Sequence, residues 1–215
     1  EHYTSIVKLN LDDPDRSYKF FTDIDDNNLK ESMDLSCQSN VNKVFEDILS
    51  FNKPRWHIIR IPSTKKDMEN ETINNIELTA GKNNCDVKYH MMCEKIDDDI
   101  EPEELLSKRP SSGKHTVILI KNKWRASKSF SDKYIGVVHD RFTKNKQQFA
   151  TEVQSLAGRM VGHGKLQAKK KPIIYCQLRC IHEYINLFNN NFDYEKTVEW
   201  KKSKNPSYMN KNLNE

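Results

Sequence analysis

The sequence has no run of apolar residues near the roughly 20 that a membrane-spanning helix needs. Its opening Glu-His-Tyr-Thr also lacks the charged-then-apolar pattern of a secretory signal, so no membrane partner is expected. Nor is there a large excess of one charge. The 35 Lys and Arg face 31 Asp and Glu for a net charge of +4, too small a balance to argue by itself for nucleic acid. Five cysteines are odd in number and form no tight framework, which points to reduced thiols in an intracellular, cytoplasmic or nuclear, setting. The first residue is Glu rather than Met, as expected of a fragment or a processed product.

A phosphate-gripping loop is missing as well. Such a loop needs a glycine, four residues, then Gly-Lys-Ser/Thr, so that backbone N–H groups wrap the phosphates and the hydroxyl holds magnesium. The three Gly-Lys pairs, Gly81-Lys82, Gly113-Lys114 and Gly164-Lys165, are followed by Asn83, His115 and Leu166. The first glycine would fall at Ile76, Lys108 or Arg159. This chain is therefore not expected to bind and split a nucleoside triphosphate unaided.

What is present is an asymmetry of charge and a rhythm of elements. Acid clusters early (Asp12, Asp13, Asp15, Asp23, Asp25, Asp26) and at 97–104; base clusters in 121–128, 165–171 and 201–204. Residues 1–50 read as an irregular lead-in or inter-domain connection with one helix at Val41–Phe51. From there, short apolar runs alternate with helical segments. "RWHIIRIP", "CDVKYHMMCE", "HTVILIK", "KYIGVVHD" and "PIIYCQ" read as strands. Between and after them, "STKKDMENETINNIELTAGK", stopped by Gly81, and "IEPEELLSKRP", "TEVQSLAGRMVGHGK" and "RCIHEYINLFNN" read as helices. Strands apolar on both faces and alternating with helices predict one α/β domain over 51–190, with a mostly parallel sheet and helices on both faces. Residues 191–215 read as a polar tail, with Trp200 able to anchor its start. Ligands in such sheets gather at the carboxyl ends of the strands.

The stretch "TEVQSLAGRMVGHGK" carries the most specific signal. Val153, Leu156, Ala157 and Met160 follow the spacing of a helix core face. Ser155 and Arg159 lie on its flank, with Gln154 farther round above Gly158. A glycine inside a helix costs roughly 1 kcal/mol against alanine, so the bare backbone at Gly158 implies a close approach by a neighbouring element or a ligand. Gly162 to Lys165 reads as the helix end, with Gly162 in the left-handed cap conformation.

The run "HTVILIKNKWRASKSFSDKYIGVVHDRF…TEVQSLAGRMVGHGK" resembles the C-terminal half of superfamily 2 helicases, especially the helicase-like proteins of large DNA viruses, phages and related elements. In that group a strand ending in Ile-Lys leads to an Arg-Ala-(Gly/Ser)-Lys loop, then a strand, then a Gln-containing helix with Gly-Arg. These are motifs V and VI, and "RWHIIRIP" falls near motif IV. The resemblance implies a second RecA-like domain, a three-layer α/β fold, in a viral-like setting such as an infected cell or virion. ATP and Mg2+ would be bound mainly by a missing N-terminal RecA-like domain of the same protein, with nucleic acid, DNA or RNA, contacted at its phosphate backbone. Arg159 would be the arginine finger and Gln154 would act beside it. Ser155, Gly158 and Arg125 would border the nucleotide, and Lys121, Ser127 and Lys128 would face nucleic acid. The sequence departs from the broad family at two places: Ser155 stands where Gln usually precedes the arginine by four, and Gly162 where many relatives carry a second arginine. The other reading is a non-enzymatic nucleic-acid- or protein-binding α/β module, a degenerate helicase domain.

Three other constellations compete. Cys176, Cys180 and His182, joined by Cys85, His90 and Cys93, could form a zinc cage only if their strands converged; no metal is expected. Cys176 with His182 could form a nucleophilic pair, but nothing marks an oxyanion site. Trp124 beside Arg125 could stack on a base, although a tryptophan at a strand end is commonly packing.

Overall fold

The computed structural model describes residues 18–62, 66–91, 102–121, 131–142, 153, 155–163, 171–191 and 193. Its centre is a sheet of six parallel strands. In chain order these are β2 (Leu29–Glu31), β3 (Trp56–Arg60), β4 (Asp86–Met91), β5 (Thr116–Lys121), β6 (Ile135–His139) and β8 (Ile173–Cys176). Their spatial order is β2-β8-β6-β3-β5-β4, and every pairing is parallel. A separate antiparallel pair joins β1 (Tyr18–Lys19) to β7 (Gly162–His163).

The alternation of side chains along the strands builds two cores. Trp56, Ile58, Ile118, Ile120, Val138, Ile174 and Cys176 face one side, where they meet Leu106 of α3 (Pro102–Leu106), Leu156, Ala157 and Met160, and Ile181 of α4 (Leu178–Asn189). Ile59, Ile61, Val117, Leu119, Val137, Ile173 and Tyr175 face the other, against α1 (Gln38–Leu49) and α2 (Lys66–Lys82). The result is the three-layer, parallel α/β architecture of the RecA-like type. It follows from strands whose residues are apolar on both faces, because a sheet of that kind must be covered twice.

In α1, Val41, Val44, Phe45 and Ile48 stand at i, i+3, i+4 and i+7 and are all buried. Burying each contributes roughly 1.5–3 kcal/mol, which commits this helix to the sheet. The boundary expected at residue 50 therefore does not divide the fold. Residues 29–49 supply an edge strand and a core helix; the helix was expected at Val41–Phe51, whereas the strand went unread because it is only three residues long in an acidic stretch.

Three further expectations are corrected. Gly81 does not stop α2, which runs one residue further; Asn84 takes the left-handed conformation at φ 54° instead. In the described part of the 151–165 segment only Val153 is α-helical; the expected helix face does not continue through it, and Ala157–Met160 form a 3-10 turn followed by extended Val161. Gly162 does have positive φ, at 108°, yet it sits in β7 rather than capping a helix. Leu156, Ala157 and Met160 are buried as the periodicity required, since a tight turn can sink the same residues into a core.

Gly158 has a definite reason. A side chain at that position would run into the backbone carbonyl of Val153, so the close approach comes from its own segment. Gly158→Ala is expected to destabilise the fold by about 1–3 kcal/mol through overpacking, read as a lower denaturant midpoint at unchanged m-value; an unaltered midpoint would refute the contact.

Candidate functional site

The carboxyl ends of the strands lie together, as they must in an all-parallel sheet. β3 and β6 are neighbours whose chains leave in opposite directions. After β3 the chain enters α2, which packs on the α1 side, whereas after β6 it reaches the 156–160 turn, which packs on the α4 side. A crevice between two such strands is the topological switch point where ligands bind in open α/β sheets.

Arg60 and Asp140 meet across this crevice. Asp140 is fully buried, and its carboxylate has three described partners. Oδ1 lies 2.9 Å from Arg60 Nε and accepts from Arg141 N at 2.9 Å; Oδ2 accepts from Leu156 N at 2.8 Å. A buried carboxylate needs such compensation for lost hydration. The bond from Leu156 N ties the end of β6 to the turn that carries Arg159. Arg159 is 7% exposed. Burial and the nearby Arg60 charge push its pKa below the ordinary arginine value, while Asp140 opposes them.

The residues singled out in the sequence divide into three groups. Arg159 is brought to the switch-point edge beside Arg60 and Asp140. Lys121 ends β5 at the same edge, but its Nζ donates to both carboxylate oxygens of Glu69 in α2, at 2.6 Å each. Ser155 and Gly158 are half-buried in the Arg159 segment. Gln154, Arg125, Ser127 and Lys128, along with Trp124 and Cys93, lie outside the described residues. The zinc cage does not converge: Cys176 belongs to the core on the α4 side and Cys85 to the core on the α1 side. Among the described residues no group of three or more His, Cys, Asp or Glu could hold a metal ion.

Sequence reasoning missed Arg60, Asp140 and the hollow beside them. Met33, Asp34, Leu35, Arg60, Pro62, Met68, Thr72, His139 and Phe142 line an open space of about 280 Å³, counting solvent at its mouth. Arg60 and His139–Asp140 had a usable signal, since a polar residue directly after a buried parallel strand falls on the ligand edge. Met33 and Thr72 had none; they reach the hollow only through packing.

Three histidines near the sheet are held neutral. Val137 N donates to His57 Nδ1 at 3.0 Å, which leaves the His57 hydrogen on Nε2, facing His115 Nδ1 at 3.0 Å; His115 Nε2 then faces the Phe51 carbonyl at 3.0 Å. Room for the His57 ring comes from Gly136, where a Cβ would strike it, at a bulge in the β3–β6 register. Burial lowers both pKa values, His57 the more strongly; the charge of its His115 neighbour and then that of Arg55 lower it further, while at His115 the Phe51 carbonyl opposes the fall and Arg55 adds to it. At the other end of the sheet, Met33 N donates to His139 Nε2 at 3.2 Å, and burial lowers the His139 pKa to about 4 against the opposing effect of Asp140 and its own backbone carbonyls.

No family model matches the sequence, and no solved structure matches it. An uncharacterized protein of Acanthamoeba polyphaga mimivirus is 29% identical over 168 residues, which is 78% of this chain and 40% of that protein. The chain thus spans well under half the length of that relative. No helix among the described residues is long and apolar enough to cross a membrane.

The histidines fix a pH dependence. Each has a folded pKa below its unfolded value near 6.5, so the unfolded chain binds more protons in acid. Their stabilisation is complete above about pH 6.5 and declines as pH falls toward the folded values. For His139, with a folded pKa of about 4, the loss by pH 4 is roughly 3 kcal/mol. Urea unfolding from pH 7 to 4 should show the decline, and His139→Gln should flatten part of it; an identical pH profile in that variant would refute the assignment.

Proposed function

We propose that this chain is the second motor domain of a nucleic-acid-dependent ATPase of the superfamily 2 helicase or translocase kind. In this reading it supplies an arginine finger and part of a nucleic-acid surface, while ATP and Mg2+ are held mainly by another RecA-like domain. The observation that supports it most is positional. Arg159, the arginine of the motif VI resemblance, stands at the switch-point edge, tied through the Leu156–Asp140 bond to the ends of β6 and β3. That edge is where a nucleotide carried by a facing domain would dock. A guanidinium suits the task because its charge is permanent and its planar fork grips phosphate oxygens in pairs. A viral relative agrees with the viral leaning of the resemblance and adds nothing on activity.

The burial of Arg159 limits what the chain does alone. At 7% exposure the finger must be uncovered when the facing domain docks. Lys121 must likewise exchange Glu69 for a phosphate before it can touch nucleic acid. These two engaged cations favour the second reading, a non-enzymatic binding module in which Arg159 serves packing.

Two measurements separate the readings. In a protein that joins this chain to its phosphate-loop domain, Arg159→Ala should lower nucleic-acid-stimulated ATP turnover by about 10³-fold, with ATP affinity and melting temperature nearly kept. Normal turnover in that variant, or an upstream coding sequence without Gly-Lys-Thr/Ser, would leave the binding module. For the chain itself, oligonucleotide affinity should fall steeply between low and moderate salt, because phosphate contacts release counterions; an affinity indifferent to salt would exclude backbone binding.

A further inference from the structure

The hollow beside Arg60 has polar groups that the fold leaves unused. Thr72 is 1% exposed, and its Oγ1 is buried without a hydrogen-bond partner. An unsatisfied buried hydroxyl destabilises the empty protein, so its presence needs an explanation. Arg60 offers a second donor. Its Nε lies 2.9 Å from Asp140 Oδ1 as an ion pair without hydrogen-bond geometry, and its two Nη groups make no hydrogen bond to the described residues. Against these donors stands one acceptor. Asp34 Oδ1 takes the Ser36 N–H at 3.1 Å and the Ser36 hydroxyl at 2.7 Å, and among the described residues Oδ2 accepts from none.

One cation, one hydroxyl and a lone carboxylate around a small space suit an oxyanion that also carries a proton. An unprotonated oxyanion would bring its charge against Asp34, whereas a P–O–H group donates to that carboxylate, which when ionised can only accept. At neutral pH inorganic phosphate always keeps at least one proton. Sulfate and a phosphodiester keep none, and a phosphomonoester, with its second pKa of about 6, is mostly without one. We propose that the switch-point hollow is a binding site for inorganic phosphate in its protonated forms. Arg60 and Thr72 donate to its bare oxygens, and Asp34 accepts from its hydroxyl. None of these three residues belongs to the nucleotide or nucleic-acid surface assigned above, so the site does not depend on the motor reading.

The test uses the 215-residue chain and thermal unfolding at matched ionic strength. Inorganic phosphate should raise the melting temperature saturably, while sulfate and an unphosphorylated oligonucleotide should not do so through this site. Thr72→Val removes the hydroxyl without changing shape. It should leave the melting temperature of the empty protein equal or higher, and should reduce the phosphate-induced shift several-fold. Asp34→Asn keeps an oxygen for Ser36 and removes the charge, so sulfate should now stabilise as phosphate does. A phosphate shift that is absent, matched by sulfate in the unaltered chain, or undiminished in Thr72→Val would overturn the proposal.

Discussion

The carboxylate of Asp140 is the point on which the ligand edge of this protein depends. It is fully buried, and it draws together the Nε of Arg60, the N–H of Arg141 and the N–H of Leu156. Through these two hydrogen bonds and one ion pair, the ends of two adjacent strands and the Arg159 turn are tied together. A buried charge leaves little freedom here, because losing any partner exposes it to a poorly polar interior. The floor of the switch-point crevice is thus this carboxylate, with the candidate finger on one side and the proposed phosphate hollow on the other.

Burial shapes the chemistry at both ends of the sheet. At the amino end, His57 and His115 form a relay of neutral rings that joins β3, β5 and β6 without any net charge. At the carboxyl end, His139 is neutral and stacked on Tyr175, with ring centroids 5.1 Å apart. Beside Asp140 positive charge is thus left to guanidiniums, which do not titrate near neutral pH, while the Lys121 ammonium at the same edge is paired with Glu69. That division keeps the guanidinium charge constant over a wide pH range while the histidines serve the fold.

Much of the architecture was legible in the chain. "RWHIIRIP", "HTVILIK", "KYIGVVHD" and "PIIYCQ" are apolar on both faces, and only a doubly covered sheet can hide such strands. The edge strand Leu29–Glu31 was not legible, because three residues in an acidic stretch carry no period to read. The 155–160 segment shows a subtler limit. Its apolar spacing correctly named Leu156, Ala157 and Met160 as buried, but a 3-10 turn and an α-helix sink nearly the same positions.

Sequence alone therefore determined the class of fold, the faces of its main strands and the absence of a phosphate loop, because these follow from local composition and period. The tertiary structure decided which polar groups share a site. Arg60, Thr72, Asp34 and Asp140 are separated by up to 106 positions in the chain, and no local pattern links them. They meet only because parallel strands put all their carboxyl ends on one edge, and because the connections after β3 and β6 depart toward opposite faces.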